Sequence, residues 1–355
     1  MDKFGQSRRE FLGKSAALIA AAAIMPSALT SCAGGEKAAP AATEAVPADG
    51  KPNSTFNGVA IGTITYSWRD MPGGLENLIK YCKEANISNL ELMGGDLETC
   101  LGAPESPMGK IMAQAFKRMG GAPGQGKRPE FTAEEQAEID KYNAEVAEFR
   151  KNLDFAKVEE VRKALEAEGI FVHIVKTQPG ANSTEEEIDY AFKLAKAMGV
   201  KAITAESSLE AAQKIAPYAE KYDMYYALHN HMQFADPNYD IDAILAVSPK
   251  IMMNFDSGHF FGSTGRHPIE ILEKYHDRIF SMHIKDKTGP KTEPEANANQ
   301  VWGQGETPLK EILLKIQKEG WPIYCDIELE YAVKPWSNSV KEVGTCVAYA
   351  RQILM

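Results

Sequence analysis

Short apolar runs alternate with longer amphipathic stretches along the chain from residue 58 onward. The runs are rich in β-branched residues, which is typical of buried strands, whereas the longer stretches repeat apolar positions at helical spacing. Glycine follows two of the predicted helices, at Gly169 and Gly199, where a left-handed residue is expected to end a helix. The pattern predicts eight strands, at 59–66, 87–93, 170–175, 201–205, 224–228, 251–255, 279–284 and 323–329.

The stretches between these strands predict helices near 73–86, 153–169, 185–198, 209–222, 241–247, 268–275, 308–319 and 339–353. Alternation of strand and helix implies a parallel sheet with right-handed crossovers, and eight such units close into a barrel. We therefore expect an α/β fold, a (β/α)8 TIM barrel, over residues 58–355. No glycine-rich phosphate loop follows the first strand, which disfavours a dinucleotide-binding fold.

Residues 101–150 do not fit a minimal barrel, because they separate the second strand from the helix expected after it. They include a glycine-rich stretch at 120–126 and a polar helical pattern near 132–150. We interpret them as an insertion after strand two, on the rim that carries the active site. Such a segment would serve as a lid or as a subunit contact.

Residues 1–31 have the features of an export signal. Arg8 and Arg9 precede a short apolar run at 15–25, as in twin-arginine signals, and the run is too short to span a membrane. Residues 29–35 resemble a bacterial lipobox, in which Cys32 becomes the lipid-modified first residue. Residues 32–57, rich in Ala, Pro and Gly, are predicted to be a flexible tether. We expect a periplasmic or cell-envelope lipoprotein that touches the membrane only through Cys32.

The charge of the chain argues against nucleic acid as a partner. The 355 residues include 39 Lys and Arg against 49 Asp and Glu, a net charge of −10. Removing residues 1–31 takes away four basic and two acidic side chains and leaves −12. Such a surface repels phosphate backbones, and the basic residues form no groove along the sequence. Five Cys without a CxxC pair argue against a disulfide framework, and the four besides Cys32 are expected to be buried.

Titratable side chains stand at seven of the predicted strand ends, and the active site of such a barrel lies at that end. Carboxylate and imidazole side chains recur at the same depth around the predicted barrel. They are suitable ligands for a divalent Mn, Co, Mg or Zn ion that keeps coordination positions open for substrate. Because side chains alternate along a strand, His283 and Lys285 should share one face. The same holds for Asp326, Glu328 and Glu330. The further candidates along the barrel are Glu91, His173, Lys176, Glu206, His229, His231, Asp256 and His259.

These residues resemble the xylose-isomerase-like barrel family, known broadly as sugar phosphate isomerases and epimerases. The matching pieces, within residues 58–355, are Asp256-Ser257-Gly258-His259, His283-Ile284-Lys285-Asp286, His229-Asn230-His231 and the Glu328-bearing last strand. The resemblance implies one divalent metal, with Asp256, His283 and Glu328 as ligands. We assign Glu206 as the fourth ligand. His229 is the alternative, since it stands where many epimerases carry a glutamate.

Two further assignments remain open at this point. Glu330 would replace Glu328 if the last strand were shifted in register. Trp68, Trp302 and Trp336 follow predicted strands, where an aromatic ring either stacks on a sugar or packs in the core. Of these, we assign Trp68 to substrate binding, together with Lys176. His173 is expected to pack inside the third strand.

The His-Asn-His sequence resembles family members that act on keto-sugars, keto-inositols and 3-keto-glycosides. That resemblance implies that a metal chelates a ketone and a neighbouring hydroxyl, and that a base forms an enediolate. His229, His231, His259 and Lys285 are the expected catalytic residues. Sugar phosphates are cytoplasmic, so an exported protein is expected to take an unphosphorylated small carbohydrate.

The leading expectation is eliminating or hydrolytic cleavage of a 3-keto-glycoside, which an exported sugar oxidoreductase would supply. One alternative is a sugar isomerase or epimerase of free ketoses. An alternative of another class is a lipid-anchored sugar-binding protein on a catalytically dead barrel. A metal-dependent nuclease is disfavoured by the acidic charge.

Overall fold

The computed structural model describes residues 50–119 and 129–355. Within these ranges eight parallel strands pair in chain order, and the eighth pairs with the first, so the sheet closes on itself. The predicted (β/α)8 barrel is confirmed. The barrel strands are Val59–Ile64 (β1), Asn89–Met93 (β2), Phe171–Lys176 (β3), Ala202–Glu206 (β4), Tyr225–His229 (β5), Ile251–Asp256 (β6), Ile279–Ile284 (β7) and Tyr324–Ile327 (β8).

Helices surround the barrel and follow its strands. Gly169 and Gly199 have φ of 78° and 77° just beyond two of them, as predicted for left-handed residues. Among the described residues, no helix is both long and apolar enough to cross a membrane. The helices are Leu75–Ala85 (α1), Gly94–Cys100 (α2), Met108–Met119 (α3), Ala133–Lys151 (α4), Phe155–Ala167 (α5), Glu185–Ala197 (α6), Leu209–Tyr222 (α7), Ile241–Leu245 (α8), Ser257–Thr264 (α9), Ile269–Tyr275 (α10), Leu309–Glu319 (α11) and Ser339–Leu354 (α12).

The hydrophobic core lies between the barrel and its helices, while the inside of the barrel holds polar pairs as well as the ring of Phe280, which meets that of Tyr225. Ile61, Phe255 and Leu313 belong to one large cluster of buried apolar side chains. By contrast, His173 on β3 reaches Asp326 on β8, with Nε2 and Oδ2 2.9 Å apart. A contact between strands that are not neighbours in the sheet must cross the interior. Because buried charges need partners, this polar interior is held together by pairs across the barrel.

The strand register is irregular at two places. Between β2 and β3 it shifts after Leu90, and between β6 and β7 it shifts after Met253. Each shift leaves one extra residue on the later strand, so the simple alternation of inward and outward side chains is interrupted there. The residues that follow the shifts, Glu91 and Asn254, hydrogen-bond to each other across the barrel at 2.7 Å.

The last part of the expected tether belongs to the barrel domain. Thr55–Phe56 forms a short antiparallel pair with β1, and Phe56 joins the hydrophobic core. The domain therefore begins before residue 58, and the tether prediction is wrong for these residues because Phe56 gains burial. Residues 1–49, with the export signal, Cys32 and the rest of the tether, lie outside the described residues. Of the other cysteines, Cys100 is only partly buried and the rest are buried.

Four described helices, α2 to α5, separate β2 from β3. The predicted polar helix near 132–150 is α4, and the glycine-rich stretch 120–126 falls outside the described residues. Thr132 and Glu135 form a capping box at the start of α4. Arg118 of α3 holds both oxygens of Glu135 at 2.6 Å. The other end of α4 is tied to α2, because Arg150 binds the Glu98 carboxylate with two hydrogen bonds.

Candidate active site

Four buried side chains converge at the carboxyl ends of β5 to β8. We call His229, Asp256, His283 and Glu328 the inner cluster; each is 6% exposed or less. His283 Nδ1 lies 3.1 Å from Glu328 Oε2 and 3.9 Å from Asp256 Oδ2. Each residue contributes one ligand atom: His229 Nε2, Asp256 Oδ2, His283 Nδ1 and Glu328 Oε2. Among the described residues His229 Nε2 has no hydrogen-bond partner, whereas Asp256 Oδ2 and Glu328 Oε2 form ion pairs with Lys285.

Asn254 fixes the tautomer of His229. Its Nδ2 donates to Glu91 Oε2 and to Ser281 Oγ, both at 2.7 Å, so its Oδ1 faces His229 Nδ1 at 2.8 Å. An amide oxygen only accepts, so Nδ1 of His229 must carry the proton and Nε2 keeps its lone pair. Burial, and then Lys176, hold the pKa of His229 well below its usual value, so the ring is neutral.

Glu91 lies at the base of the inner cluster and is completely buried. It accepts a hydrogen bond from His283 Nε2 at 3.0 Å, which turns Nδ1 of that ring towards Glu328. Burial alone would raise the pKa of Glu91, but the charge and hydrogen bond of His283, together with the charges of Lys176 and His173, lower that pKa. Burial likewise opposes the charged form of His283, but Glu91 and Glu328 raise its pKa well above the usual value. A metal at Nδ1 would therefore have to displace a proton.

Lys285 is buried within the carboxylates of β6 and β8. Its Nζ lies 3.1 Å from Asp256 Oδ2, 2.5 Å from Glu328 Oε2 and 2.8 Å from Glu330 Oε2. Burial opposes its charge, but these carboxylates raise the pKa of Lys285. His259 Nε2 is 2.9 Å from the ammonium, and burial and Lys285 lower the pKa of His259 to about 2, so this nitrogen accepts. His283 and Lys285 thus share one face, as predicted, since both contact Glu328, and Glu330 contacts Lys285 from the same side as Glu328.

His231, Glu206 and Lys176 form a second group at the rim. His231 Nδ1 lies 3.0 Å from Glu206 Oε2, and Lys176 Nζ lies 3.3 Å from Glu206 Oε1. The hydrogen bond to Glu206 raises the pKa of His231. Burial would raise the pKa of Glu206, but His231 and Lys176 lower it. The ring of His231 also meets that of His229 edge-on, with centroids 4.9 Å apart, so this group borders the inner cluster.

The sequence pattern of the xylose isomerase-like TIM barrel matches residues 136–344. The chain belongs to that family. An inosose dehydratase from Clostridium botulinum (strain Eklund 17B / Type B) is 31% identical over an alignment of 147 residues; the match covers 34% of this chain and 49% of that protein. The chain thus spans about half the length of the curated relatives it matches.

Solved structures share the fold of this xylose isomerase-like barrel. The IolI protein with a bound zinc atom has a TM-score of 0.54 at 13% identity, covering 84% of this chain and 99% of that one. A sugar phosphate isomerase/epimerase from Parabacteroides distasonis ATCC 8503 has a TM-score of 0.53 at 17% identity, covering 87% of this chain and 100% of that one. At these identities the likeness establishes the fold.

The structure does not bring every predicted ligand of this xylose isomerase-like barrel together. Glu206, the preferred fourth ligand, is 45% exposed and is bound to His231 and Lys176. His229, the alternative, lies in the inner cluster, and its ligand atom groups with those of Asp256, His259 and Glu328 within 4.8 Å. Glu206 and His229 are register partners at the ends of β4 and β5. The Glu206 carboxylate is held at the rim by His231 and Lys176, whereas the His229 ring is held in the inner cluster by Asn254.

The predicted role of Trp68 is also wrong. Its ring is buried in the hydrophobic core and meets the ring of Tyr81 at 5.7 Å, because a large apolar side chain gains most from burial. Trp302 is likewise buried, while Trp336 is exposed. His173 packs inside the barrel against Asp326, as expected. Asn254 is absent from the residues predicted from the sequence, and Glu91 is predicted only as one of the candidates at the strand ends. Glu91 stands between two leucines in an apolar strand, and a carboxylate buried there requires a partner. This pattern could have indicated its buried position.

Proposed function

We propose that the protein is a divalent-metal-dependent enzyme that acts on an unphosphorylated keto-sugar through an enediolate. The leading reaction is eliminating or hydrolytic cleavage of a 3-keto-glycoside. The observation that carries this proposal is the inner cluster, in which four strand ends each present one buried ligand atom at the mouth of the barrel, and His229 Nε2 has no hydrogen-bond partner among the described residues. The similarity to an inosose dehydratase supports it, because that name denotes elimination from a keto-inositol.

The inner cluster fits a divalent metal in chemistry and in charge. Two carboxylate oxygens and two imidazole nitrogens are the donors that Zn, Mn and Co accept. Acidic groups outnumber basic ones around the inner cluster, which favours a divalent cation. The acidic groups are the buried Glu91, Asp256 and Glu328 and the partly exposed Glu330, and the basic ones are Lys285 and His283. When bound, the metal would act as a Lewis acid on the ketone oxygen of the sugar. The zinc atom of the IolI structure is consistent with such a site.

His231 is the best-placed general base. Glu206 accepts the proton of Nδ1, which leaves Nε2 as the basic nitrogen, and nearly half of the side chain is exposed to the mouth of the barrel. His229 is unsuited to this role, since its free nitrogen belongs to the inner cluster. Lys285 carries a fixed positive charge next to that cluster and would stabilise negative charge developing on substrate oxygens. His259 holds that ammonium through Nε2.

On a 3-keto-glycoside these residues would carry out an elimination. His231 takes the proton from C2, and the electron pair forms the enediolate with the C3 oxygen. That pair then forms the C1–C2 double bond as the C1–O bond breaks, and the leaving oxygen takes up a proton. Addition of water across the double bond would complete a hydrolysis. A positioned base of this kind contributes about 10²–10⁴-fold to the rate.

We also propose that the mature enzyme works in the periplasm or on the cell envelope, held by lipid on Cys32. The paired arginines and the lipobox-like sequence support this. A sugar oxidoreductase in the same compartment would supply the ketone. Labelling cells with a radioactive fatty acid should mark the protein and not its Cys32→Ala variant. Equal labelling of both would contradict the anchor.

Proton NMR in D₂O tests the proposed reaction. The protein, loaded in turn with Mn, Co or Zn, is incubated with a methyl 3-keto-glucoside and removed before the spectrum is taken. We expect metal-dependent release of methanol, lost in His231→Gln and retained in His267→Gln, whose histidine is exposed on the approach to α10.

The other outcomes separate the alternatives. Deuterium entering the sugar while the glycosidic bond stays intact would replace cleavage by isomerisation or epimerisation. No change with any metal, together with measurable sugar binding, would favour a binding protein on a dead barrel.

A further inference from the structure

A cavity of about 360 Å³ lies beside the inner cluster, between the ends of β2 and β3 and the helices α2, α4 and α6. Gly94 and Gly95 line it from α2, Arg150 from α4 and Tyr190 from α6. No residue of the inner cluster is among its lining residues in the described part of the chain. The cavity is therefore a separate compartment next to the proposed site of chemistry.

The walls of this cavity are polar, and the two acidic side chains in its lining, Glu98 and Glu187, are balanced by two basic ones, Arg150 and Lys176. Arg150 binds Glu98 through Nε at 2.6 Å and Nη2 at 3.0 Å, and Tyr190 donates to the same carboxylate at 2.8 Å. The guanidinium also lies 5.3 Å from the centre of the Tyr190 ring. Glu98 is almost completely buried, so the pair is held rigidly. With its charges balanced in this way, the wall favours an uncharged ligand that exchanges hydrogen bonds.

Lys176 connects the cavity to the proposed general base. It lines the cavity, and its Nζ contacts Glu206, which in turn binds His231. The next residue, Thr177, also lines the cavity, and its hydroxyl is buried without a hydrogen-bond partner among the described residues. An unpartnered buried hydroxyl is costly unless a ligand or a water satisfies it. A ligand hydroxyl at this position would do so.

We infer that the cavity is a second carbohydrate subsite, which binds the ring attached to the keto-sugar that reacts at the inner cluster. Its volume stands at the lower end of the range for small-molecule sites, about 300–1,000 Å³, which suits one sugar ring. The substrate is then a glycoside of two rings, with Lys176 between them. This inference rests on the proposed function for the identity of the reacting ring.

A substitution that fills the cavity tests this subsite. A Cβ on Gly95 would meet no atom within 4 Å, so Gly95→Phe can be introduced without a backbone clash and would occupy the space. Gly109 has equally open surroundings but does not line the cavity, so Gly109→Phe is the matched control. The substrates are methyl 3-keto-glucoside and 3-keto-cellobiose oxidised on its non-reducing ring.

For Gly95→Phe we expect kcat/KM to fall by about 10-fold or more with the two-ring substrate and to stay unchanged with the methyl glycoside. Gly109→Phe should match the unmodified protein with both substrates. An equal loss with both substrates, or no loss with either, would overturn the subsite.

Failure of the proposed function is recognised separately, since the unmodified protein would then cleave neither substrate. In that case saturation-transfer NMR with cellobiose still tests the cavity. Saturation transfer to protons of both cellobiose rings in the unmodified protein, but to only one ring in Gly95→Phe, would support the subsite. An unchanged pattern in the variant, or no saturation in the unmodified protein, would refute it.

Discussion

Asn254 Oδ1 lies 2.8 Å from His229 Nδ1, directly after the point where the register between β6 and β7 shifts. The same amide donates to Glu91, which follows the register shift between β2 and β3. Two irregularities on opposite sides of the barrel therefore meet in one hydrogen bond. Glu91 requires a donor, so the amide has one orientation, and that orientation leaves Nε2 of His229 free to bind a metal.

Replacing Asn254 should weaken metal binding without removing a ligand. In Asn254→Ala the His229 ring loses the acceptor that sets its tautomer, and we expect zinc affinity to fall by about 10–100-fold. Competition against a chromogenic chelator measures this, with circular dichroism confirming the fold. Asn238→Ala, at an exposed loop residue, is the control. Unaltered affinity in Asn254→Ala would show that the tautomer is not set by this amide.

The barrel and the titratable side chains at its strand ends follow from sequence periodicity, and the family resemblance implies three of the ligands. Neither identifies the fourth ligand. The extra residue of β7 lies before Ser281, and the strand alternates regularly from there on, so the shared face of His283 and Lys285 could be predicted. Glu206 and His229 both stand at strand ends, and only a contact across the barrel distinguishes them. Asn254 provides that contact from the far side of a register shift, which local patterns do not reveal.

Gly62 is required where β1 passes Asp326. A Cβ at this position would lie 2.1 Å from Asp326 Oδ1 and 3.0 Å from the Asn89 carbonyl oxygen. The carboxylate cannot easily move, because His173 holds its other oxygen at 2.9 Å. We expect Gly62→Ala to lower the free energy of unfolding by about 1–3 kcal/mol in urea titrations. Gly109→Ala, in open surroundings, should not. Equal stability of the two variants would contradict this packing.

Asp189 on α6 should make stability depend on pH. It pairs with Lys193 at 2.6 Å and Lys221 at 3.0 Å and accepts a hydrogen bond from Tyr222. Lys193, followed by Tyr222, lowers the pKa of Asp189 in the folded protein. A carboxylate whose pKa is lower in the folded than in the unfolded protein stabilises the fold at pH values above its unfolded pKa, about 3.9. This stabilisation is lost as the pH falls towards the pKa in the folded protein.

The Asp189→Asn variant measures this contribution. Because this partly exposed carboxylate has three partners, we expect the free energy of unfolding of the variant to be lower by about 1 kcal/mol at neutral pH. The difference from the unmodified protein should shrink below about pH 4. Urea titrations across this pH range provide the measurement, with the exposed Asp277→Asn as control. A difference that stayed constant with pH would show that the charge of Asp189 contributes nothing.

The capping box of α4 tests whether α3 and α4 can open independently of the barrel. Thr132→Ala removes the acceptor for the Glu135 backbone N–H and should cost about 1 kcal/mol of helix stability. We expect faster amide hydrogen exchange in α4 and in α3, which is joined to it by Arg118, and unchanged exchange in β5 to β8.

Thr184→Ala removes the same motif from α6 and is the matched control, with faster exchange expected at that helix. An opening confined to α3 and α4 would release Arg150 from Glu98 and so expose one wall of the cavity beside Lys176. Faster exchange throughout the barrel in Thr132→Ala would instead mean that α4 opens only when the whole domain unfolds, which would exclude a role as a lid.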